Sequence, residues 1–182
     1  MKTLEIIEEY KSWRQGNPDT WINHCRNQEN VEDAIIYAAL SENHLGKRNS
    51  HQYRLKKITL EKFAANLLDV KEEIMEAKSF EELFGIIEFN KPQGVGDLTC
   101  YDAALRIGAK VNLYPEKIYL HTGTRRGVEK ILGKKVSRKF ILKSELPDSF
   151  QNAAISCAEI EEILCMYKDQ FDLNEIWQHQ NK

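Results

Sequence analysis

The 182 residues carry 26 Lys/Arg against 28 Asp/Glu, a net of −2, with 42% hydrophobic and 30% charged residues, a globular balance sufficient for one ordinary domain or two small lobes. No apolar run approaches the roughly 20 residues needed to span a bilayer, and Met1-Lys2-Thr3-Leu4-Glu5 turns acidic too early for a signal peptide. The expectation is a cytoplasmic protein without a membrane partner. Cys25, Cys100, Cys157 and Cys165 form no C-x-x-C pair, which argues against a zinc knuckle or redox motif and for reduced, mostly buried thiols.

In chain order, Leu4, Ile6, Ile7, Tyr10 and Trp13 lie near helical spacing, and Gly16-Asn17-Pro18 ends that helix. Asn17 then reads as the cap, and Pro18 as the first residue, of a second helix through Trp21 to Arg26. Asn30 caps a third helix, Val31 to about Leu40, whose run Ile35, Ile36, Ala38, Ala39 and Leu40 is too continuous for a surface element. A polar loop, residues 41–54, mixes cations, amides and Tyr53, and its length alone suggests function. Thr59 reads as the cap of a helix with Leu60, Phe63, Leu67 and Leu68 on one face. After a charged segment, Ser79-Phe80-Glu81-Glu82 has the capping-box pattern and opens a helix from Phe80 to about Phe89.

That helix runs through Asn90-Lys91-Pro92-Gln93 into Gly94-Val95-Gly96, and a further helix leaves from Leu98 to Val111. The unit over residues 80–110 is helix, hairpin, helix. Beyond it, Lys117 to His121 reads as a brief strand or an extended connection. Thr122-Gly123-Thr124 reads as a turn that caps a helix from Arg125 to Leu132, and Gly133 stops it. Residues 134–143 are basic yet β-favouring, after Pro147 one long helix is expected from about Ser149 to Tyr167, and Asp172 would cap a last short helix ending near Trp177. Trp13, Trp21 and Trp177 read as core or lobe-junction anchors.

Charge is blocked along this order. Residues 106–143 hold eleven Lys/Arg against Glu116 and Glu129, a net of +9, and residues 47–62 hold six against Glu61, a net of +5. Two glycines around one small apolar residue let a backbone turn tightly and approach a ligand closely. Amides and a helix N-terminus at one spot make an anion site, and a nucleic-acid phosphate is the leading anion.

Gly94, Val95, Gly96, Thr99 and Cys100 resemble the helix-hairpin-helix DNA-binding motif. The resemblance implies phosphate contacts at Gly94, Gly96 and Thr99, a monovalent cation on hairpin carbonyls, and binding that does not read sequence. More broadly, residues 30–133 resemble the DNA glycosylase superfamily, which carries this hairpin at the centre of a two-lobed helical fold. Ile35 to Leu40 resembles its buried helix, and Leu120 to Val128 falls near its catalytic loop. This chain has Leu98 where many members place a Schiff-base lysine and His121 where they place an essential aspartate.

The expectation is therefore an all-α, glycosylase-like domain over residues 1–182, with two lobes and a cleft, that binds nucleic acid, DNA first, without a cofactor. Lys47, Arg48, His51, Tyr53 and Arg54 would flank the hairpin, with Tyr53 either stacking on a base or sealing the loop. Thr122, Gly123, Thr124, Arg125, Arg126 and Lys130 would add an anion turn and a phosphate footprint. Those cations have an alternative, which is to pair with Glu159, Glu161 and Glu162. Two other functions stay open: base excision or another nucleic-acid activity using His121 or, more weakly, Asp102, and a helical adaptor for an unknown protein.

Overall fold

The computed structural model describes residues 3–171. Ten α-helices dominate them, joined by one two-stranded sheet, so the chain is all-α in class. The helices are α1 (Thr3–Gly16), α2 (Thr20–Arg26), α3 (Val31–Leu40), α4 (Lys57–Asp69), α5 (Lys71–Glu76), α6 (Phe80–Phe89), α7 (Asp97–Val111), α8 (Thr122–Leu132), α9 (Asp148–Gln151) and α10 (Cys157–Met166). Strands β1 (Ile118–Tyr119) and β2 (Phe140–Ile141) pair antiparallel. The chain divides into two compact units: Pro18–Tyr114, and residues up to Asn17 together with those from Pro115 onward. No helix of the described residues is long and apolar enough to cross a membrane.

The continuous unit is built around α3. Its Ala34, Ile35, Ala38 and Ala39 are buried, and α2, α4, α5 and α7 all pack against it. Small residues at alternate turns allow that many neighbours to approach, and each large aliphatic side chain buried there contributes about 1.5–3 kcal/mol. Asn30 caps α3 by accepting the Asp33 N–H at 2.7 Å. Likewise Ser79 Oγ caps α6 by accepting the Glu82 N–H, while the Glu82 carboxylate takes the Lys78 N–H one residue ahead of the expected one.

The discontinuous unit closes around Ile6, Ile7 and Tyr10 of α1, Ile118, Val128 and Ile131, and Ile160, Ile163 and Leu164 of α10. Tyr10 Oη donates to Glu162 at 2.6 Å, and Arg14 pairs with the same carboxylate. Burial first, and then Glu162, push the Tyr10 phenol up.

Several boundaries differ from the sequence reading. Asp19 caps α2, accepting the Trp21 and Ile22 N–H groups at 2.9 and 2.8 Å. Asn17 instead turns its amide back to the Trp13 carbonyl. Trp13 is 37% exposed beneath the Arg14 guanidinium, so it anchors no core, and Trp21 is half-buried with its indole N–H on the Lys47 carbonyl. Helix α4 begins at Lys57 without a side-chain cap, which puts Thr59 inside its first turn.

Thr122-Gly123-Thr124 forms the first turn of α8, with His121 at the cap position, and Gly133 ends the helix at φ 63° as expected. The long helix after Pro147 is two helices. It breaks between Gln151 and Cys157, where Ser156 and Glu159 form a capping box that restarts it as α10. The helix expected from Asp172, with Trp177, lies outside the described residues.

Candidate functional site

The hairpin between α6 and α7 is anchored from below and open above. Pro92 and Val95 are buried, and the Val95 N–H closes the turn on the Pro92 carbonyl at 3.1 Å. Gln93, Gly94, Gly96 and Asp97 are exposed. Gly94 has φ +95°, a conformation that side-chain-bearing residues rarely adopt. Gly96 is the cap residue of α7, and no side chain caps that helix. Thr99 is 7% exposed and faces the interior.

The charge at this N-terminus is balanced locally. Asp97, the first helical residue, pairs with Lys91 across the turn at 2.7 Å. That hydrogen bond holds the Lys91 ammonium above its ordinary pKa.

A cationic segment lies against the hairpin. A Cβ built on Gly94 would come within 3.7 Å of Thr59 Cγ2. Thr59 sits in the first turn of α4, so Lys56 and Lys57, both exposed, lie beside the glycine turn. Lys57 makes only a long, exposed contact with Glu61, 3.8 Å, of the kind worth little in water.

Loop 41–54 is also tied to α7, and its order comes from side chains. Asn43 accepts the Leu45 and Lys47 N–H groups, and Glu42 bridges to Arg48. The following 3-10 turn, Ser50–Gln52, brings His51 Nδ1 to 3.2 Å and Gln52 Nε2 to 2.8 Å from Asp102 Oδ2. Arg106, one turn on, stands 3.8 Å from that carboxylate and donates to the Ala38 carbonyl and Ser41 Oγ. Burial opposes ionisation of Asp102, but the His51 hydrogen bond, the Arg106 charge and the Gln52 amide outweigh it and hold the carboxyl below its ordinary value.

Of the loop cations, Arg48 donates to the Leu55 carbonyl and is half-buried, whereas Lys47 and Arg54 are exposed. Tyr53 is 58% exposed and does not seal the loop. Sequence reasoning named His51 and Asp102 for different roles and missed Gln52 and Arg106, which join them into one cluster.

The residues around α8 do other work. Gly123 packs on Cys165, and Gly127 on the Leu164 backbone. Thr124 is fully buried and donates to Glu161. The Arg125 guanidinium donates to the carbonyls of Val136, Arg138 and Leu120. Thr122 and Arg126 are exposed, Arg126 lies 3.3 Å from Asp169, and Lys130 donates to the Asp169 carbonyl. The turn expected to hold an anion is thus a helix face pressed on α10.

Among the described residues, Glu129 pairs with Lys135, Glu145 with Arg138 and Asp169 with Arg126. Of the three acids expected to meet that block, Glu159 caps its own helix, Glu161 accepts from Thr124, and Glu162 is taken by Tyr10 and Arg14. Removing Arg125 leaves three carbonyls without their donor, so Arg125→Ala is expected to cost about 1–3 kcal/mol. Arg126→Ala, in an exposed pair, is expected to stay within about 0.5 kcal/mol. Thermal unfolding of the two variants separates these outcomes.

His121 and Asp102, the two catalytic candidates, belong to different units, and His121 is half-buried at the cap of α8. Compared with known proteins, the chain matches no family model, no curated protein and no solved structure.

Proposed function

We propose that this chain binds the phosphate backbone of nucleic acid, DNA first, through the hairpin at residues 90–97, as a helix-hairpin-helix module that does not read base sequence. The observation that carries the reading is the packing of Gly94 on Thr59. It sets an exposed glycine turn and an uncapped helix N-terminus beside the exposed ammonium groups of Lys56 and Lys57. Backbone amides supply direction and the lysines supply long-range attraction, which is the combination that holds a phosphate. Asp97 does not leave a bare negative charge there, because Lys91 is its partner.

The reading is one of binding, and it assigns no bond-breaking step to His121. Its footprint is smaller than the sequence suggested, since Gly123, Thr124 and Arg125 are engaged in packing and in carbonyl contacts. The test is affinity for a labelled duplex across a salt series. Reversing Lys56 and Lys57 to Glu is expected to weaken binding at low salt and to lower the slope of log K against log salt by about two. A variant with unchanged slope overturns the hairpin footprint.

A further inference from the structure

The hairpin is held against α4 at both of its ends. At Gly94 the contact is Thr59 Cγ2, which a Cβ there would meet at 3.7 Å. Where the hairpin leaves α6, the Asn90 carbonyl accepts from Asn66 Nδ2 at 2.9 Å. Thr59 and Asn66 are two helical turns apart, and at about 100° per residue they differ by only about 20° around the α4 axis. The line from Thr59 to Asn66 is therefore the face of α4 that residues 90–94 lie along.

Phe63 and Lys62 flank that line. Phe63 stands about 40° to one side of Thr59 and is fully buried, which marks the core side. Lys62 stands about 60° to the other side and is exposed, on the solvent side of the same contact. It lies about 4.5 Å along the axis from Thr59, and helical Cα–Cβ bonds tilt toward the N-terminus, so its stem leans back toward the end where Thr59 meets Gly94. Lys57 and its partner Glu61 each stand about 160° round from Thr59, on the far side of the helix. Attraction from Lys57 is long-range, and a cation at contact distance from the turn has to come from elsewhere.

Lys62 is uncommitted. Among the described residues its ammonium makes no ion pair or hydrogen bond, whereas Lys91 on the hairpin itself is taken by Asp97. The acid on the Lys62 side of α4 is Asp69, about 10 Å further along the axis and away from the Thr59 end. The Gly94 and Gly96 N–H groups are likewise without a partner among the described residues. An anion between the turn and α4 would meet backbone donors on one side and an ammonium on the other, so its charge and its direction would both be satisfied.

We propose that Lys62 is a direct ligand of the nucleic-acid phosphate held at the hairpin, so that one backbone phosphate sits between the glycine turn and α4. The inference rests on the hairpin reading above and adds its short-range cation.

The experiment measures the affinity of the full chain for a labelled duplex across a salt series, for the wild type, Lys62→Gln and Lys78→Gln. Lys78 is the control, an exposed lysine of the same unit that precedes α6 and so lies a helix length, about 15 Å, from the hairpin. Lys62→Gln is expected to weaken binding several-fold at low salt and to lower the slope of log K against log salt by about one. Lys78→Gln is expected to leave the slope unchanged. In the wild type, bound duplex should protect the Lys62 amine from acylation, read by mass spectrometry, and should not protect Lys78.

An unchanged slope in Lys62→Gln, an equal fall in Lys78→Gln, or a Lys62 amine acylated as fast with duplex as without it overturns the direct ligand. The hairpin reading survives each of these if reversing Lys56 and Lys57 still lowers the slope. No wild-type binding at low salt overturns both. Lys62 is an exposed helical residue and glutamine is a comparable helix former, so the variant is expected to fold, and equal thermal midpoints verify it.

Discussion

Gly127→Ala is expected to unfold the discontinuous unit or to lower its stability by at least about 3 kcal/mol, a midpoint shift on the order of 10 °C. A Cβ at this position runs into the Leu164 carbonyl oxygen, with the Leu164 carbonyl carbon at 3.0 Å and its Cα at 3.2 Å. All three obstacles are backbone atoms of α10, which no rotamer change can move. Relief requires α8 and α10 to separate, and with them Val128, Ile131, Ile160 and Leu164 at the centre of that unit's core.

Gly123→Ala makes the informative contrast. Its obstacle is the Cys165 thiol, a side-chain end, with Cys165 Cβ and Cα at 3.6 and 3.7 Å. Gly123→Ala alone should cost less, and adding Cys165→Ala should restore most of the loss. Gly85→Ala on α6 has open space within 4 Å and should stabilise by up to about 1 kcal/mol through helix propensity. Thermal unfolding of the four variants checks the order, and a Gly127→Ala protein as stable as wild type would show that the two helices do not rely on this contact.

The same glycines mark where the sequence was legible and where it was not. Gly133 announces a helix end because a glycine directly after a helical run takes, without steric cost, the left-handed conformation that closes the last turn. Gly94 announces a turn for the same reason. Gly123 and Gly127 lie four apart on one helical face, a spacing that fits a close helix contact, but the hydroxyls on either side of Gly123 fit an anion turn equally well. Only the partner helix decides between them, and it arrives more than thirty residues later in the chain.

Local capping was legible at Asn30 and Ser79, where one polar residue precedes an apolar run. At residues 17–19, two capable caps stand within three positions, and the backbone chose Asp19. The break at 152–156 was also written in the chain, since Ser156 and Glu159 have capping-box spacing. It was masked by the helical spacing of apolar residues on both sides. The cluster of His51, Gln52, Asp102 and Arg106 joins residues about fifty positions apart, and no periodicity reports such a pairing. Exposure of Lys56 and Lys57 beside Gly94 is likewise tertiary information.

That cluster carries the second large effect. Arg106→Met is expected to destabilise the continuous unit by about 3–5 kcal/mol, because it removes one partner of a buried ion pair. Arg106 and Asp102 side chains are 4% and 13% exposed, too dry for water to compensate. The guanidinium also satisfies the Ala38 carbonyl and Ser41 Oγ, where α3 ends in a left-handed Ser41 at φ 58°.

Asp102→Leu leaves Arg106 charged among the same groups and should cost a comparable amount. The double variant should cost clearly less than the two added together, since the uncompensated charge has gone. Asp102 also sets an acid limb. Its carboxyl is held below its ordinary value in the folded unit, so the associated stability is fully present at neutral pH and is lost as pH falls through the folded value. Asp102→Asn should remove that part of the acid limb while leaving the loop closed by its amide. Chemical denaturation of these variants from pH 3 to 7 measures both effects. Strict additivity of the two single substitutions, or an acid limb unchanged in Asp102→Asn, would contradict a coupled buried pair at the base of the 41–54 loop.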